Sequence, residues 1–208
     1  TYAENAKELL LRKETDEVRQ NISHISTMAD RMTELGKHLR NFSRKPGTGV
    51  KSVNIQDVFH AVEIIMHGRV KDMNAVINIS YEQQAMFVLA GEGRLQQVFV
   101  NILNNALDAM SSETAPIIDI TVENTENGRT SIRFKDSGLG LPESEKTKIF
   151  DPFFTTKAAN TGLGLGLSIS YNVIQDFDGE LSAENHPDGG AVFTVTLQTT
   201  EAEKVAAE

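Results

Sequence analysis

The stretch Arg94–Met110, RLQQVFVNILNNALDAM, reads as one amphipathic helix. Leu95, Val98, Phe99, Ile102, Ala106 and Ala109 recur at three- and four-residue steps and line up one apolar face. Gln97, Asn101, Asn104, Asn105 and Asp108 follow the same spacing on another side. Asparagine and aspartate are weak helix formers, each costing about 0.5–0.7 kcal/mol against alanine, whereas Glu, Lys, Gln and Arg cost little. A face needed only for solubility would draw on the second group. Asn101 and Asn105, one turn apart, instead set two neutral carbonyl oxygens on one side, where they suit a hard cation or a polar ligand. A solvated face carrying asparagines by chance is the other reading. The remainder of the chain has to separate the two.

Length and charge narrow the field. The 208 residues suffice for one good core plus an accessory element. A net charge of -9 argues against nucleic acid and anionic membrane as partners, because both reward basic surface. Without cysteine the chain has no disulfide, no thiolate zinc site and no cysteine nucleophile. No run reaches transmembrane length, and no signal peptide opens the sequence. Thr1 falls within a helical pattern, so a piece of a longer protein is expected.

Taken in order, residues 1–11 are helix formers without a cap, and 12–17 hold a turn with Thr15 or Asp16 as the next N-cap. Ile22, Ile25, Ala29, Met32, Leu35 or Gly36, Leu39 and Phe42 then approximate a heptad, which predicts a helical hairpin or bundle seam. An amphipathic helix packed on its own globular domain fits the same pattern. Ser43–Gly49, SRKPGTG, breaks it, and the domain boundary is placed there. Beyond it, strands are predicted at Val50–Val53, Ala75–Ser80 and Met86–Ala90, the last two joined as a hairpin through YEQQA. Asn54 caps a helix running to about His67. Two more hairpins follow, Ile117–Glu123 with Thr130–Lys135, and Glu180–Glu184 with Ala191–Leu197 around HPDGG. A helix over Leu165–Phe177 precedes the last pair. Residues 201–208 read as a disordered tail. A mixed sheet with helices on one face is the simplest way to bury this set, an α+β architecture.

Three loops bear on the central helix. DSGLG (Asp136–Gly140) ends a strand with a carboxylate, a pure acceptor able to hold an amino group, and turns on two glycines; an ordinary Asp-x-Gly turn is the alternative. FDPFFTTK (Phe150–Lys157) sets three phenylalanines in a loop, either completing the core or anchoring a mobile cover with Lys157 near anionic groups. TGLGLGLS (Thr161–Ser168) runs through Gly162, Gly164 and Gly166 into a helix start, where free N–H groups and the macrodipole favour phosphate. A flexible linker would look alike. The run is neither a P-loop nor a dinucleotide fingerprint, since position 167 is leucine.

The four segments in this order resemble the ATP-binding domain of sensor histidine kinases, in the superfamily that also holds gyrase, Hsp90 and MutL. The likeness covers roughly residues 47–198. It implies a two-layer α/β sandwich with a mixed sheet of about five strands. It also implies ATP and Mg2+ as cofactors, with Asn105 the metal ligand and Asn101 beside it. By position, Asp136 would accept the adenine amino group, and Gly138 and Gly140 would let the chain pass close to the base. Gly162, Leu163, Gly164, Leu165 and Gly166 would wrap the phosphates beneath a lid over about Leu141–Thr161, with Phe150, Lys157 and Thr161 also at the nucleotide.

TYAENAKELL and RMTELGKHLRNFSRK are similar to the dimerisation hairpin of C4-dicarboxylate transport sensor kinases. There the phosphoacceptor histidine lies upstream of such a segment, hence before Thr1. His24 is followed by Ile25 rather than an acidic residue, and His38, His60, His67 and His186 fit the role no better. The resemblance divides the chain into a partial hairpin (1–46), a catalytic domain (47–200) and the tail. It implies a protein-histidine kinase whose intact form is a homodimer, anchored in a bacterial inner membrane with this portion cytoplasmic, and passing phosphate to a response regulator. Residues 1–208 alone should bind ATP without labelling themselves. Two alternatives remain, an ATPase of the gyrase or MutL kind and a catalytically silent nucleotide-binding scaffold. The ATPases carry a water-activating glutamate where this chain has Asn101, which has no proton affinity for that work.

Overall fold

The computed structural model describes residues 49–155 and 163–201, together with 4, 15–23, 25, 26 and 29. The chain forms two compact units, Thr1–Lys45 and Pro46–Glu208. In the first, residues 15–23 are helical. Among its described residues Val18 and Asn21 are buried, whereas Ile22, Ile25 and Ala29, the start of the near-heptad, are exposed. The rest of that repeat, from Met32 to Phe42, lies outside the described residues.

The second unit opens with strand β1 (Lys51–Asn54) and helix α1 (Ile55–Asp72). Asn54 caps α1, its side chain accepting from Gln56 N at 3.0 Å. Asn54→Ala should lower stability by about 1 kcal/mol in a urea melt, the usual worth of such a cap. The helix outruns His67 because Arg69 and Lys71 complement its C-terminal dipole, and Asn74 ends it in the left-handed region at φ 53°. Next come β2 (Val76–Tyr81), β3 (Phe87–Ala90) and helix α2 (Glu92–Ala109). The hairpin β4 (Ile117–Thr125) and β5 (Arg129–Asp136) follows. Helix α3 (Gly166–Gln175) leads into the hairpin β6 (Glu180–Asn185) and β7 (Ala191–Thr200).

One sheet carries all seven strands in the order β1-β3-β7-β5-β4-β2, with β6 also on β7. That exceeds the five or so expected, because β7 is ten residues long and accommodates more than one partner along an edge. Its end pairs with β3 (Phe87↔Thr200), and β3 brings β1 with it. The expected hairpin between β2 and β3 does not form. Instead β2 runs parallel to β4 at one edge, and β3 lies toward the other. YEQQA lacks the Asn-Gly or Asp-Gly pair that tight hairpins require. Its continuation is captured by α1: Gln56 Nε2 donates to Gln84 O at 3.1 Å, Gln56 Oε1 accepts from Met86 N at 3.3 Å, and Ile55 N donates to Met86 O at 2.9 Å.

Alternation fixes the layering. Ile118, Ile120 and Val122 of β4 and Ile132 and Phe134 of β5 are buried, while Ile117, Asp119 and Glu123 are exposed. The buried set shares one core with the apolar faces of α1, α2 and α3. At its centre Phe59 of α1 stacks on Phe99 of α2 (4.8 Å between ring centroids), and Phe99 meets Phe134 edge-on at 5.2 Å. Helix α2 packs against both α1 and α3, which makes it the middle of the helical layer. Its buried face includes Leu103 and Leu107, which the three–four spacing passes over, whereas Ala109 is exposed.

Candidate functional site

The polar stripe of α2 divides in two. Asn104 Oδ1 accepts from Arg69 Nη1 at 2.5 Å, and Asp108 pairs with Arg69 Nη2, so these two residues tie α2 to α1. Asn101 belongs to the other flank. Its Nδ2 donates to Gly166 O and Ser170 Oγ, both at 3.2 Å, and its Oδ1 accepts from Gln97 Nε2 at 3.2 Å. Asn101 therefore meets the first turn of α3, where the glycine run ends. Asn105 sits half-buried one turn further along α2.

At the C-terminal end of α2 stands Asp136, the last residue of β5, 3% exposed. Its Oδ1 accepts from Gly138 N and from Ala191 N, each at 3.0 Å. Both donors converge on one oxygen, which leaves Oδ2 to accept from a ligand. Burial pushes the carboxyl above its ordinary range, the two backbone donors pull it down, and Glu113 adds to the rise. A Cβ on Gly138 would lie 3.1 Å from Asp136 Oδ1, 3.3 Å from Met110 Cγ and 3.4 Å from Ala109 O, so the bare backbone lets the loop lie against the end of α2. Gly140 is left-handed at φ +77°.

The phenylalanine segment and the glycine run are one assembly. Phe153 N donates to Gly164 O at 3.0 Å, and a Cβ on Gly164 would be 2.4 Å from Phe154 O. Gly164 is also left-handed, at φ +66°. Phe150 and Phe154 pack on the core, with Phe150 against Tyr171 at 5.4 Å. Phe153 does not; it is 68% exposed and itself left-handed, at φ 67°. The phenylalanines thus split between core and surface. Leu163 and Leu165 are half-buried around Gly164, and Leu165 packs on the core. Lys157, Thr161 and Gly162 lie outside the described residues.

Helix α2 therefore joins two clusters, one around Asn101, Gly166 and Ser170, the other around Asp136, Gly138 and Met110. At 1.5 Å per residue, Asn101 and Met110 stand about 13 Å apart along the axis. Ser170, Asn185, Gly190 and Ala191 take part without having been singled out. HPDGG carried a signal only for a turn, and nothing in the sequence marks Asn185 or Ser170.

Residues 90–201 match the family described as histidine kinase-, DNA gyrase B-, and HSP90-like ATPase. The C4-dicarboxylate transport sensor protein DctB of Pseudomonas aeruginosa is 32% identical over 197 residues, 95% of this chain and 32% of that protein. The nucleotide-free catalytic domain of histidine kinase ThkA superposes with a TM-score of 0.65 at 31% identity, over 73% of this chain and 96% of that one. ThkA in complex with response regulator protein TrrA gives a TM-score of 0.74 at 24% identity, over 96% of this chain and 58% of that one. The chain spans about a third of the length of the curated sensor proteins it matches.

Proposed function

This chain belongs to the histidine kinase-, DNA gyrase B- and HSP90-like ATPase family, as the catalytic domain of a sensor histidine kinase, and from that premise we propose that it binds Mg2+-ATP along α2 for transfer of the γ-phosphate to a histidine. The observation that carries this reading is the pairing of a buried acceptor at the C-terminal end of α2 with a glycine-opened helix start at its middle. Oδ2 of Asp136 suits the exocyclic amino group of adenine, and Gly138 and Gly140, close against Met110 and Asn185, would set the loop beside the base. The N–H groups opening α3 suit phosphate oxygens.

Asn105 is the residue that would hold Mg2+, with Asn101 beside it one turn earlier. The donor chemistry fits: magnesium takes oxygen ligands and is usually held by a few protein groups together with substrate phosphates. Among the described residues no group of three or more His, Asp or Glu could supply a separate cage. When bound, the ion offsets phosphate charge. The protein's part is positioning, which is most of what phosphoryl transfer asks of it.

Asn101 also weighs against hydrolysis as the main activity. Its amide is committed to Gly166 and Ser170, and an amide cannot take a proton from water. Against a silent module stands the retention of the metal, adenine and phosphate residues together, Asn105, Asp136 and the glycines opening α3. We assign the acceptor to a histidine outside this chain, residues 1–46 to a dimerisation hairpin, 47–200 to the catalytic domain and 201–208 to a tail. The intact protein is proposed as a membrane-anchored homodimer with this portion in the cytoplasm, passing phosphate to a response regulator aspartate, as the ThkA complex suggests. Similarity to DctB supports a role in C4-dicarboxylate sensing. Among the described residues no helix is long and apolar enough to cross a membrane.

Calorimetric titration with a non-hydrolysable ATP analogue, with and without magnesium, tests the site. Asn105→Ala should lose at least tenfold in affinity with magnesium present, about 1.4 kcal/mol, and change little without it. An unchanged magnesium-dependent gain would remove Asn105 from the metal.

A further inference from the structure

The β6–β7 turn holds the Asp136–Leu141 loop at both ends. At the first, Ala191 N donates to Asp136 Oδ1 at 3.0 Å. At the second, Asn185, the last residue of β6, commits its whole amide to Leu141. Its Oδ1 accepts from Leu141 N at 2.7 Å, and its Nδ2 donates to Leu141 O at 2.8 Å. One side chain thereby supplies the pair of hydrogen bonds that a neighbouring antiparallel strand residue would make. Gly140 makes the approach possible, because a Cβ there would stand 2.8 Å from Asn185 Oδ1.

Apolar burial cannot set the middle of this loop. Gly138 and Gly140 have no side chains, and Leu139 between them is 94% exposed. Leu141 packs on the core and Gly138 lies against Met110, but between them the loop buries no apolar side chain, so polar ties share in setting its position. Ser137 is tied to Ile117 and Glu113; beyond it the polar ties are the bond from Ala191 N, the two made by Asn185 and the bond from Gly138 N to Asp136. We propose that Asn185 is a positioning residue for base selection: by clamping Leu141 it fixes the width of the slot that begins at Asp136, so that an adenine lies with its amino group on Oδ2. The inference rests on the ATP-binding reading and adds to it a residue that touches neither nucleotide nor metal. A guanine, which presents a carbonyl to the Asp136 carboxylate, gains nothing from a slot held at that width.

The test compares the full chain with Asn185→Ala and Asn185→Asp. Aspartate keeps an acceptor for Leu141 N but cannot donate to Leu141 O. Backbone amide exchange is followed at Leu141 and, as a check on the fold, at Phe134; dissociation constants are measured for ATP and GTP. Asn185→Ala should exchange at Leu141 about tenfold faster with Phe134 unchanged, and its ATP Kd should rise about tenfold while that for GTP moves less than about twofold. Asn185→Asp should fall between. Faster exchange at Leu141 with an unchanged ratio of GTP to ATP Kd would overturn the proposal and leave the clamp a purely structural one. Unchanged exchange would overturn it too. A parent chain that bound no ATP would end the ATP reading together with this one, and would be seen before any variant was made.

Discussion

Asp136→Asn should weaken ATP binding at least about a hundredfold while leaving the domain at least as stable as its parent at neutral pH. The two effects have opposite signs because one carboxylate serves two masters. For the fold, the charge is a burden: burial raises the folded-state pKa above the ordinary 3.8, so protons bind the native state more tightly than the unfolded one. Stability is therefore greatest below the unfolded pKa and declines as pH rises toward the folded one, and above that the cost is constant. Asparagine removes it. Its Oδ1 can still accept from Gly138 N and Ala191 N, so both donors remain satisfied. For the ligand, the same change is ruinous. Nδ2 would replace Oδ2 and turn a donor toward the adenine amino group. Losing a charge-assisted hydrogen bond costs about 1.5–3 kcal/mol, and facing donor against donor adds to it, so affinity should fall at least about a hundredfold. Calorimetric titration reads the loss, and a thermal melt at pH 7 reads the unchanged or raised Tm. In the parent, ATP affinity should also weaken as pH drops through the raised Asp136 pKa, and the variant should lack that dependence. An asparagine variant binding like the parent would mean the base does not lie on Asp136.

Local pattern carried most of the fold into view. Period-two alternation with a turn signal located the β4–β5 and β6–β7 hairpins, whose partners are adjacent in sequence. Pairing between β2 and β4, or β3 and β7, is decided by partners far along the chain, and by Gln56 drawing the connector onto α1. No window of sequence contains those contacts. The polar stripe on α2 shows the same division. Its spacing is visible, but it takes Arg69 to hold Asn104 and Asp108 at the α1 seam, and Gly166 and Ser170 to draw Asn101 to α3. Asp136 stood out because a carboxylate before two glycines is chemically conspicuous. Asn185 did not, because an asparagine at a strand end has many uses, and its role depends on where Leu141 returns.

Gly190→Ala should be the most damaging single methyl in the described chain, and its neighbour supplies the control. Gly189 and Gly190 are both left-handed, at φ +99° and +82°, so alanine at either carries roughly 1–2 kcal/mol of backbone strain. They differ in what the new methyl would meet. At Gly189 nothing lies within 4 Å, whereas at Gly190 the Cβ would stand 1.9 Å from the Asp136 carbonyl oxygen and 2.9 Å from its carbon. Those atoms belong to β5 in the middle of the sheet and cannot give way cheaply. The turn has to move instead, carrying Ala191 N off Asp136 Oδ1 and releasing the carboxylate from one of its two fixed donors. Gly189→Ala should therefore lose only about 1–2 kcal/mol in a urea melt and keep its ATP affinity. Gly190→Ala should lose about 3 kcal/mol or more and bind ATP at least about tenfold more weakly even where it is fully folded. Equal losses in the two variants would show that the turn can swing away from Asp136 freely. In that case the Ala191 bond would be a consequence of the carboxylate's position rather than one of its causes.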